Sequence, residues 1–194
     1  MDGKGTLEVI CGSMYSGKTE ELIRRLRREE FAKKNLLVFK HSLDNRKTIK
    51  HVISHNGVKL KALAIKEPRE ILDHLTDVTD VVGIDEVQFF DSKIINVIME
   101  LVERGIKVIV AGLDLDFRGI PFGPIPNIMA LADKTLKLKA ICMLCGDDAQ
   151  FSQRIVNGHP AKFSDPIILP GAEEYYQARC RNCFKFDMQG SKII

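Results

Sequence analysis

A short apolar run that leads into a glycine-rich loop constrains this chain more than any other feature. Leu7–Cys11 is followed by Gly12-Ser13-Met14-Tyr15-Ser16-Gly17-Lys18-Thr19, which matches GxxxxGK[ST]. The glycines let the backbone wrap phosphate oxygens with its N–H groups pointing inward, and a following helix presents its positive end to the same anions. We expect Lys18 to reach the β- and γ-phosphates and the Thr19 hydroxyl to bind Mg²⁺. The alternative is a glycine-rich turn with a surface lysine.

A second apolar run ends in two acids. Val81–Ile84 is followed directly by Asp85 and Glu86. Downstream of a phosphate loop, Asp85 fits a position on the Mg²⁺ side of the site, where it acts directly or through a metal-bound water. Glu86 is then the candidate base that orients a nucleophile and accepts its proton. The alternative is that one acid only caps the next helix or pairs with a lysine.

Apolar runs alternate with helical patterns over the first 140 residues. This alternation predicts an α/β fold with a mainly parallel central sheet that is covered on both faces. His55-Asn56-Gly57 between two apolar runs predicts a hairpin. The predicted helices begin near Lys18, Pro68 and Asp91. The predicted strands are Leu7–Cys11, Leu36–Phe39, Val52–Ser54, Val58–Leu63, Val81–Ile84 and Ile106–Ala111.

Four of the five cysteines are arranged as two CxxC pairs, Cys142 with Cys145 and Cys180 with Cys183. Four thiolates are a usual ligand set for structural Zn²⁺, and such a site keeps no open position for catalysis. The 34 residues between the pairs would form a loop closed at its base by the metal. Two alternatives are four reduced cysteines in a core and a catalytic redox pair.

The pattern changes near Ile141, where clear periodicity ends. We therefore predict a nucleotide-binding domain over residues 1–140, a zinc-binding domain over 141–186 and a C-terminal tail over 187–194. The chain has 194 residues and a net charge of +3. It lacks an apolar run near the ~20 residues of a membrane-spanning helix and a long apolar segment at its start. We expect a cytosolic protein that does not bind a membrane.

Three functions remain open on the residues alone: a kinase for a small acceptor, a P-loop ATPase that reads nucleic acid with its zinc module, and a non-catalytic nucleotide-binding regulator. A nucleic-acid reader needs a basic, aromatic surface. Residues 141–183 instead mix basic with acidic side chains, which argues against nucleic acid as a partner. The retained Lys18, Thr19, Asp85 and Glu86 argue against a regulator.

Taken together, the phosphate loop, the acidic pair and the paired CxxC closely resemble the type II (cytosolic, zinc-containing) thymidine kinases. The resemblance covers nearly the whole chain. The matching segments are Gly12–Thr19, Lys40–Arg46, Ser54–Gly57, Asp85–Phe90, Gly112–Asp114, Phe117–Arg118, Pro121–Gly123, Cys142–Phe151 and Tyr176–Cys183.

The resemblance implies a RecA-like nucleotide-binding domain and a small zinc domain whose "lasso" loop closes over the nucleoside. It implies transfer of the γ-phosphoryl of ATP to the 5′-hydroxyl of thymidine, with Mg²⁺ and structural Zn²⁺. Glu86 matches the family's base, and Asp44 and Arg46 match residues near the phosphates. It also implies a homotetramer that thymidine triphosphate inhibits. Positions matching the nucleoside site are Met14, Gln88, Phe89, Leu113, Phe117, Phe151, Ser152, Arg154, Ile168, Gly171 and Tyr176.

Overall fold

The computed structural model describes residues 3–43, 51–53, 59–167 and 175–185, with only the backbone given for 51–53 and 59. Its helices are α1 (Lys18–Phe31), α2 (Glu70–Asp73), α3 (Lys93–Glu103) and α4 (Ile125–Leu131), with a single 3₁₀ turn at Val87–Phe89. Its strands are β1 (Leu7–Gly12), β2 (Leu36–His41), β3 (His51–Ile53), β4 (Lys59–Lys61), β5 (Leu63–Ile65), β6 (Val81–Asp85), β7 (Lys107–Gly112), β8 (Lys134–Leu138), β9 (Ala140–Ile141), β10 (Asp148–Ala149), β11 (Phe151–Val156), β12 (His159–Pro160) and β13 (Tyr175–Arg179).

Six strands form one central sheet in the order β5-β2-β6-β7-β1-β8. Neighbouring strands are parallel throughout this sheet. The side chains of β6 are all buried, as are those of β7 after Lys107, because both faces of the sheet are covered. The predicted α/β fold with a mainly parallel central sheet is confirmed.

Helices cover the two faces of the sheet separately. Ile94, Ile98 and Leu101 of α3 pack with β6 and β7 on one face, where α4 also lies. Leu22 and Leu26 of α1 pack on the other face. Helix α1 approaches β6 closely, because a Cβ added at Gly83 would lie 2.7 Å from Leu26 Cδ1.

The structure differs from the predicted elements in several places. The run predicted as one strand, Val58–Leu63, is divided at Ala62, after which β5 joins the central sheet. Helix α4 and strand β8 were not predicted. The predicted hairpin is present as the antiparallel pair β3–β4, while its His55-Asn56-Gly57 turn lies outside the described residues.

Strands β9 to β13 and the four paired cysteines make up a smaller part of the molecule, which we name the cysteine unit. Its strands form the antiparallel pair β9–β10 and the antiparallel sheet β12-β11-β13. The domain boundaries given above remain predictions. Within the described ranges, we find no helix of the length and apolarity required to cross a bilayer.

Candidate active site

The carboxyl ends of three parallel strands bring the predicted chemical groups to one edge of the sheet. Strand β1 ends at Gly12, where the glycine-rich loop begins, and β6 ends at Asp85. Strand β7 lies between them and ends at Gly112. Crevices at this edge of an open parallel sheet are where α/β proteins bind ligands.

The glycine-rich loop has the backbone geometry of a phosphate cradle. Gly12 has a φ of 140° and Gly17, which caps α1, has a φ of 84°, and both angles suit glycine. A Cβ at Gly12 would lie 2.2 Å from the main-chain oxygen of Leu138. Lys18 Nζ donates to Ser13 O at 2.7 Å. The cation therefore lies at the loop and at the positive end of α1, where an anion is favoured.

The acidic pair lies beside the start of α1. Thr19 Oγ1 donates to Asp85 Oδ2 at 3.3 Å, and the Glu86 N–H donates to Asp85 Oδ1 at 2.9 Å. A hydroxyl and a carboxylate are hard oxygen donors of the kind that Mg²⁺ prefers. These two residues therefore fit the predicted magnesium position.

Glu86 is held in an unusual backbone conformation. Its φ of 53° and ψ of 39° lie in the left-handed region, which non-glycine residues adopt rarely and mostly at functional sites. Its half-buried carboxylate accepts a hydrogen bond from Gln88 Nε2. Gln88 Oε1 in turn accepts the N–H of Leu113 at 3.0 Å. The sequence carries no signal for this link, because Gln88 follows β6 and Leu113 follows β7, 25 residues later in the chain.

The four sulfur atoms of the cysteine unit form a cluster. The Sγ atoms of Cys142, Cys145, Cys180 and Cys183 all lie within 4.8 Å of one another. Tetrahedral Zn–S bonds of about 2.3 Å require sulfur separations of about 3.8 Å, so the donor set fits Zn²⁺. Burial raises the pKa of a thiol, but N–H groups of Cys180, Leu144 and Cys145 donate to the Cys142 sulfur and lower its pKa to about 6. This favours the thiolate form of Cys142, one of the four sulfur donors.

The cysteine unit also contacts the glycine-rich loop directly. Within the described parts of the chain, hydrogen bonds join Ser13 Oγ to Ala149 O (3.2 Å), Met14 N to Ser152 Oγ (2.9 Å) and Tyr15 OH to Tyr176 O (3.3 Å). The phosphate loop is therefore in direct contact with the cysteine unit.

A comparison with protein families identifies the family of this chain. The family model described as thymidine kinase matches residues 5–184 of the chain. The chain belongs to the thymidine kinase family. It is therefore an ATP:thymidine phosphotransferase, and the alternative of an ATPase acting on nucleic acid is not favoured.

In this thymidine kinase, several residues predicted for the nucleoside site lie near the same edge. Met14, Phe89 and Leu113 are half-buried. The Phe89 ring packs edge-on against Phe122 with centroids 5.9 Å apart. Gln88 differs from this group because its side chain is 2% exposed, so it reaches little beyond its protein partners.

Phe117 links the main sheet to the cysteine unit. Its ring lies 3.6 Å from the guanidinium carbon of Arg154, which is fully buried on β11. Arg118 lies over the ring of Phe163 at 5.0 Å and forms an ion pair with Asp116 at 2.7 Å. This cluster of cations and rings was not predicted, because it joins segments that are distant in the sequence.

The remaining predicted residues divide into two groups. Phe151 stacks on Phe184 with centroids 4.5 Å apart, which explains its burial. Ser152 and Tyr176 contact the phosphate loop as described above. Four predicted residues lie outside the described part of the chain: Asp44, Arg46, Ile168 and Gly171.

A buried carboxylate that was not predicted lies beyond the end of β7. Asp114 forms an ion pair with Lys137 at 2.6 Å, beside the end of β1. Burial raises the pKa of the nearby Cys11 thiol to about 11, and the charge of Asp114 acts in the same direction. Cys11 is therefore protonated at neutral pH and is separate in character from the clustered cysteines.

Proposed function

We propose that Glu86 accepts the proton of the thymidine 5′-hydroxyl while the phosphate loop holds ATP. The observation that supports this most is the position of Glu86. Glu86 directly follows Asp85, which accepts the Thr19 hydroxyl, and its main-chain oxygen accepts the N–H of half-buried Phe89. A base for phosphoryl transfer must lie near the phosphates and within hydrogen-bond reach of the acceptor hydroxyl.

ATP would bind with its phosphates in the loop Gly12–Thr19. Main-chain N–H groups and the positive end of α1 attract the phosphate oxygens, and the Lys18 ammonium adds a positive charge at the loop. Thr19 and Asp85 would hold Mg²⁺. When bound, Mg²⁺ offsets negative charge on the phosphate oxygens. Asp44 and Arg46 are proposed as further contacts on resemblance alone.

Thymidine would bind between the sheet edge and the cysteine unit. Half-buried Met14, Phe89 and Leu113 offer apolar surface that suits a methylated pyrimidine ring. Phe117, which is buried against Arg154, is proposed from resemblance alone. Phe151, Ser152, Arg154 and Tyr176 of the cysteine unit are proposed as further contacts from resemblance alone, as are Ile168 and Gly171. A covering loop over this space would exclude water, which competes with the hydroxyl as acceptor. Zn²⁺ on the four cysteines would hold the base of that loop.

The first test is ADP release from ATP and Mg²⁺ with different acceptors. Thymidine, deoxyuridine, deoxycytidine, deoxyadenosine and single-stranded DNA are each compared with no acceptor. We expect stimulation by thymidine with thymidine monophosphate as product. Stimulation by DNA, or equal release with every acceptor, would contradict the proposed acceptor.

The second test is Glu86→Gln. The variant keeps the shape of the side chain but loses the proton acceptor, so we expect kcat to fall by about 10²- to 10⁴-fold. Thymidine affinity, measured by titration calorimetry, should change by less than about threefold. Glu100→Gln is the matched control, because Glu100 is an exposed glutamate paired with Arg104 on α3. Full activity of Glu86→Gln would reject Glu86 as the base.

Two properties of the assembly are proposed from resemblance. We expect a homotetramer, which light scattering after size-exclusion chromatography tests directly. We also expect inhibition by thymidine triphosphate, which initial rates at fixed thymidine would reveal. A monomer, or indifference to the triphosphate, would refute the corresponding expectation without affecting the role of Glu86.

A further inference from the structure

Gln88 bridges the end of β7 and the side chain of Glu86. Its Oε1 accepts the Leu113 N–H at 3.0 Å, and its Nε2 donates to Glu86 Oε2. The side chain is 2% exposed. Both ends of one buried amide are therefore engaged by protein groups at the active edge of the sheet.

The chemistry of the partners determines which way this amide faces. A backbone N–H can only donate, so the oxygen of Gln88 must face Leu113. The nitrogen then faces Glu86, whose ionised carboxylate can only accept. Glutamine is the side chain of this length that offers an acceptor at one end and a donor at the other.

Two glycines leave the space that Gln88 occupies. A Cβ added at Gly112 would lie 2.6 Å from Gln88 Oε1. A Cβ added at Gly123, where φ is 52°, would lie 2.4 Å from the main-chain oxygen of Gln88. Gly112 thus leaves room for the side chain of Gln88, and Gly123 leaves room for its main chain.

The hydrogen bond to Glu86 acts on a residue whose backbone is already constrained. Glu86 is in the left-handed region, and its N–H donates to Asp85 Oδ1. With the main chain held at one end and Oε2 hydrogen-bonded at the other, the orientation of the carboxylate is restricted. A base must meet its proton within about 2.6–3.2 Å along a usable direction, so this orientation matters for turnover.

We propose that Gln88 is a positioning residue that orients the Glu86 carboxylate toward the 5′-hydroxyl, with no contact of its own to the nucleoside. This differs from the assignment of Gln88 to the nucleoside site by resemblance. The inference rests on the proposed role of Glu86 as the base. It predicts that losing the amide slows the chemical step and leaves substrate binding nearly intact.

Gln88→Met tests this with a side chain of similar size that makes neither hydrogen bond. We expect kcat to fall about 10- to 100-fold, with KM for thymidine and ATP changed by less than about threefold. Gln153→Met is the matched control, because Gln153 is also buried and also accepts a backbone N–H, from Lys185 at 2.8 Å. We expect the control to keep kcat within about threefold of the wild type.

Gln88→Glu tests the donor end of the amide alone. Its carboxylate still accepts the Leu113 N–H but, when ionised, cannot donate to Glu86. We expect a loss in kcat at least as large as that of Gln88→Met and a lower unfolding temperature, because two carboxylates would face each other in a buried site; kcat is therefore measured at a temperature where the variant is folded. Wild-type kcat in Gln88→Glu would overturn the inference. It would also be overturned if Gln88→Met lowered kcat/KM only through a rise in the KM for thymidine.

A double-mutant cycle with Glu86→Gln separates positioning from a merely structural role. If Gln88 acts through the carboxylate, Gln88→Met should cost less than about threefold in kcat once Glu86 is glutamine. A loss of the same size in both backgrounds would overturn the inference while leaving Glu86 as the base. Full activity of Glu86→Gln alone would instead refute the proposed function on which the inference rests.

Discussion

Gly12 occupies a position that requires glycine for two reasons, its backbone conformation and the close approach of a neighbouring strand. It closes β1 and begins the phosphate loop, with a φ of 140° that L side chains rarely adopt. The neighbouring strand β8 approaches so closely that an added Cβ would lie 2.2 Å from Leu138 O. Neither constraint can be relieved by rotating a side chain, because both involve backbone.

At the residue scale we predict that Gly12→Ala lowers the free energy of unfolding by about 2–4 kcal/mol. The strained φ and the backbone clash both contribute. Gly158→Ala is the control, since Gly158 has a φ of 79° and nothing within 4 Å of an added Cβ; we expect it to cost about 1 kcal/mol. Urea denaturation measures both. Equal losses in the two variants would show that the close approach to β8 does not matter.

At the scale of elements, a network of charges fixes α1 against the sheet. Arg25 of α1 pairs with Glu8 of β1 and with Glu21 one turn earlier. Lys107 at the start of β7 pairs with Glu8 at 2.9 Å and with Glu29 at 2.8 Å. The helix that carries Lys18 and Thr19 is thus attached to two strands by partly buried ion pairs.

This network predicts a pH dependence. Hydrogen bonds from Arg24, and then from Arg25, lower the pKa of Glu21 from an ordinary value of 4.5 to about 2. Because the folded pKa is the lower one, the stabilisation is fully present above about pH 4.5 and is lost as the pH falls toward 2. We expect Glu21→Gln to be less stable than the wild type by about 1 kcal/mol at pH 7.

Urea denaturation between pH 3 and pH 7 measures this difference. The gap between the wild type and Glu21→Gln should be constant above about pH 5 and should narrow below pH 4.5. Since both proteins carry the same cysteines, effects of acid on the cysteine unit cancel in the comparison. A gap that does not change with pH would contradict the assigned cause.

The elements differed in how readily the sequence revealed them. Strands β1, β6 and β7 were predicted because they are buried on both faces and read as continuous apolar runs. Strand β8 was missed because it lies at the edge of the sheet, where Lys134 and Lys137 remain exposed and the apolar pattern is broken. Helix α4 has only seven residues, too few for a clear period.

The candidate site divides in a similar way. The Gly12–Thr19 loop and the two CxxC pairs were recognisable because local spacing encodes their chemistry. The hydrogen bond from Gln88 to Leu113 and the hydrogen bond between Met14 and Ser152 were not recognisable, since each joins groups that only the folded chain brings together. Burial of a polar side chain such as Gln88 cannot be read from one sequence without the partner that satisfies it.

At the scale of the whole molecule, the cysteine unit is connected to the phosphate loop. Ser152 Oγ accepts the Met14 N–H at 2.9 Å, and Ser152 lies on β11, which pairs with β13 just before Cys180. Disturbing the sulfur cluster should therefore weaken binding at the phosphate loop, where we propose that ATP binds. A metal site that only stabilised its own loop would have no such effect.

We predict that Cys145→Ser binds less Zn²⁺, unfolds at a temperature at least about 5 °C lower and binds a non-hydrolysable ATP analogue more weakly. Ser152→Ala is the companion variant, because it breaks only the contact with Met14. It should keep its zinc, measured by atomic emission, and lose analogue affinity by a few-fold, measured by calorimetry. Zinc loss in Cys145→Ser with unchanged analogue affinity would refute the connection.

The strand order of the central sheet has a consequence for changing what this enzyme phosphorylates. Because β7 separates β1 from β6, the phosphate loop and Glu86 are held apart by two strand spacings, about 10 Å in all. Side-chain substitution cannot alter that span, since backbone hydrogen bonds set it. To accept a larger or smaller substrate, the loops and the cysteine unit would therefore have to change, because the sheet keeps the phosphate loop and the proposed base Glu86 at one fixed separation.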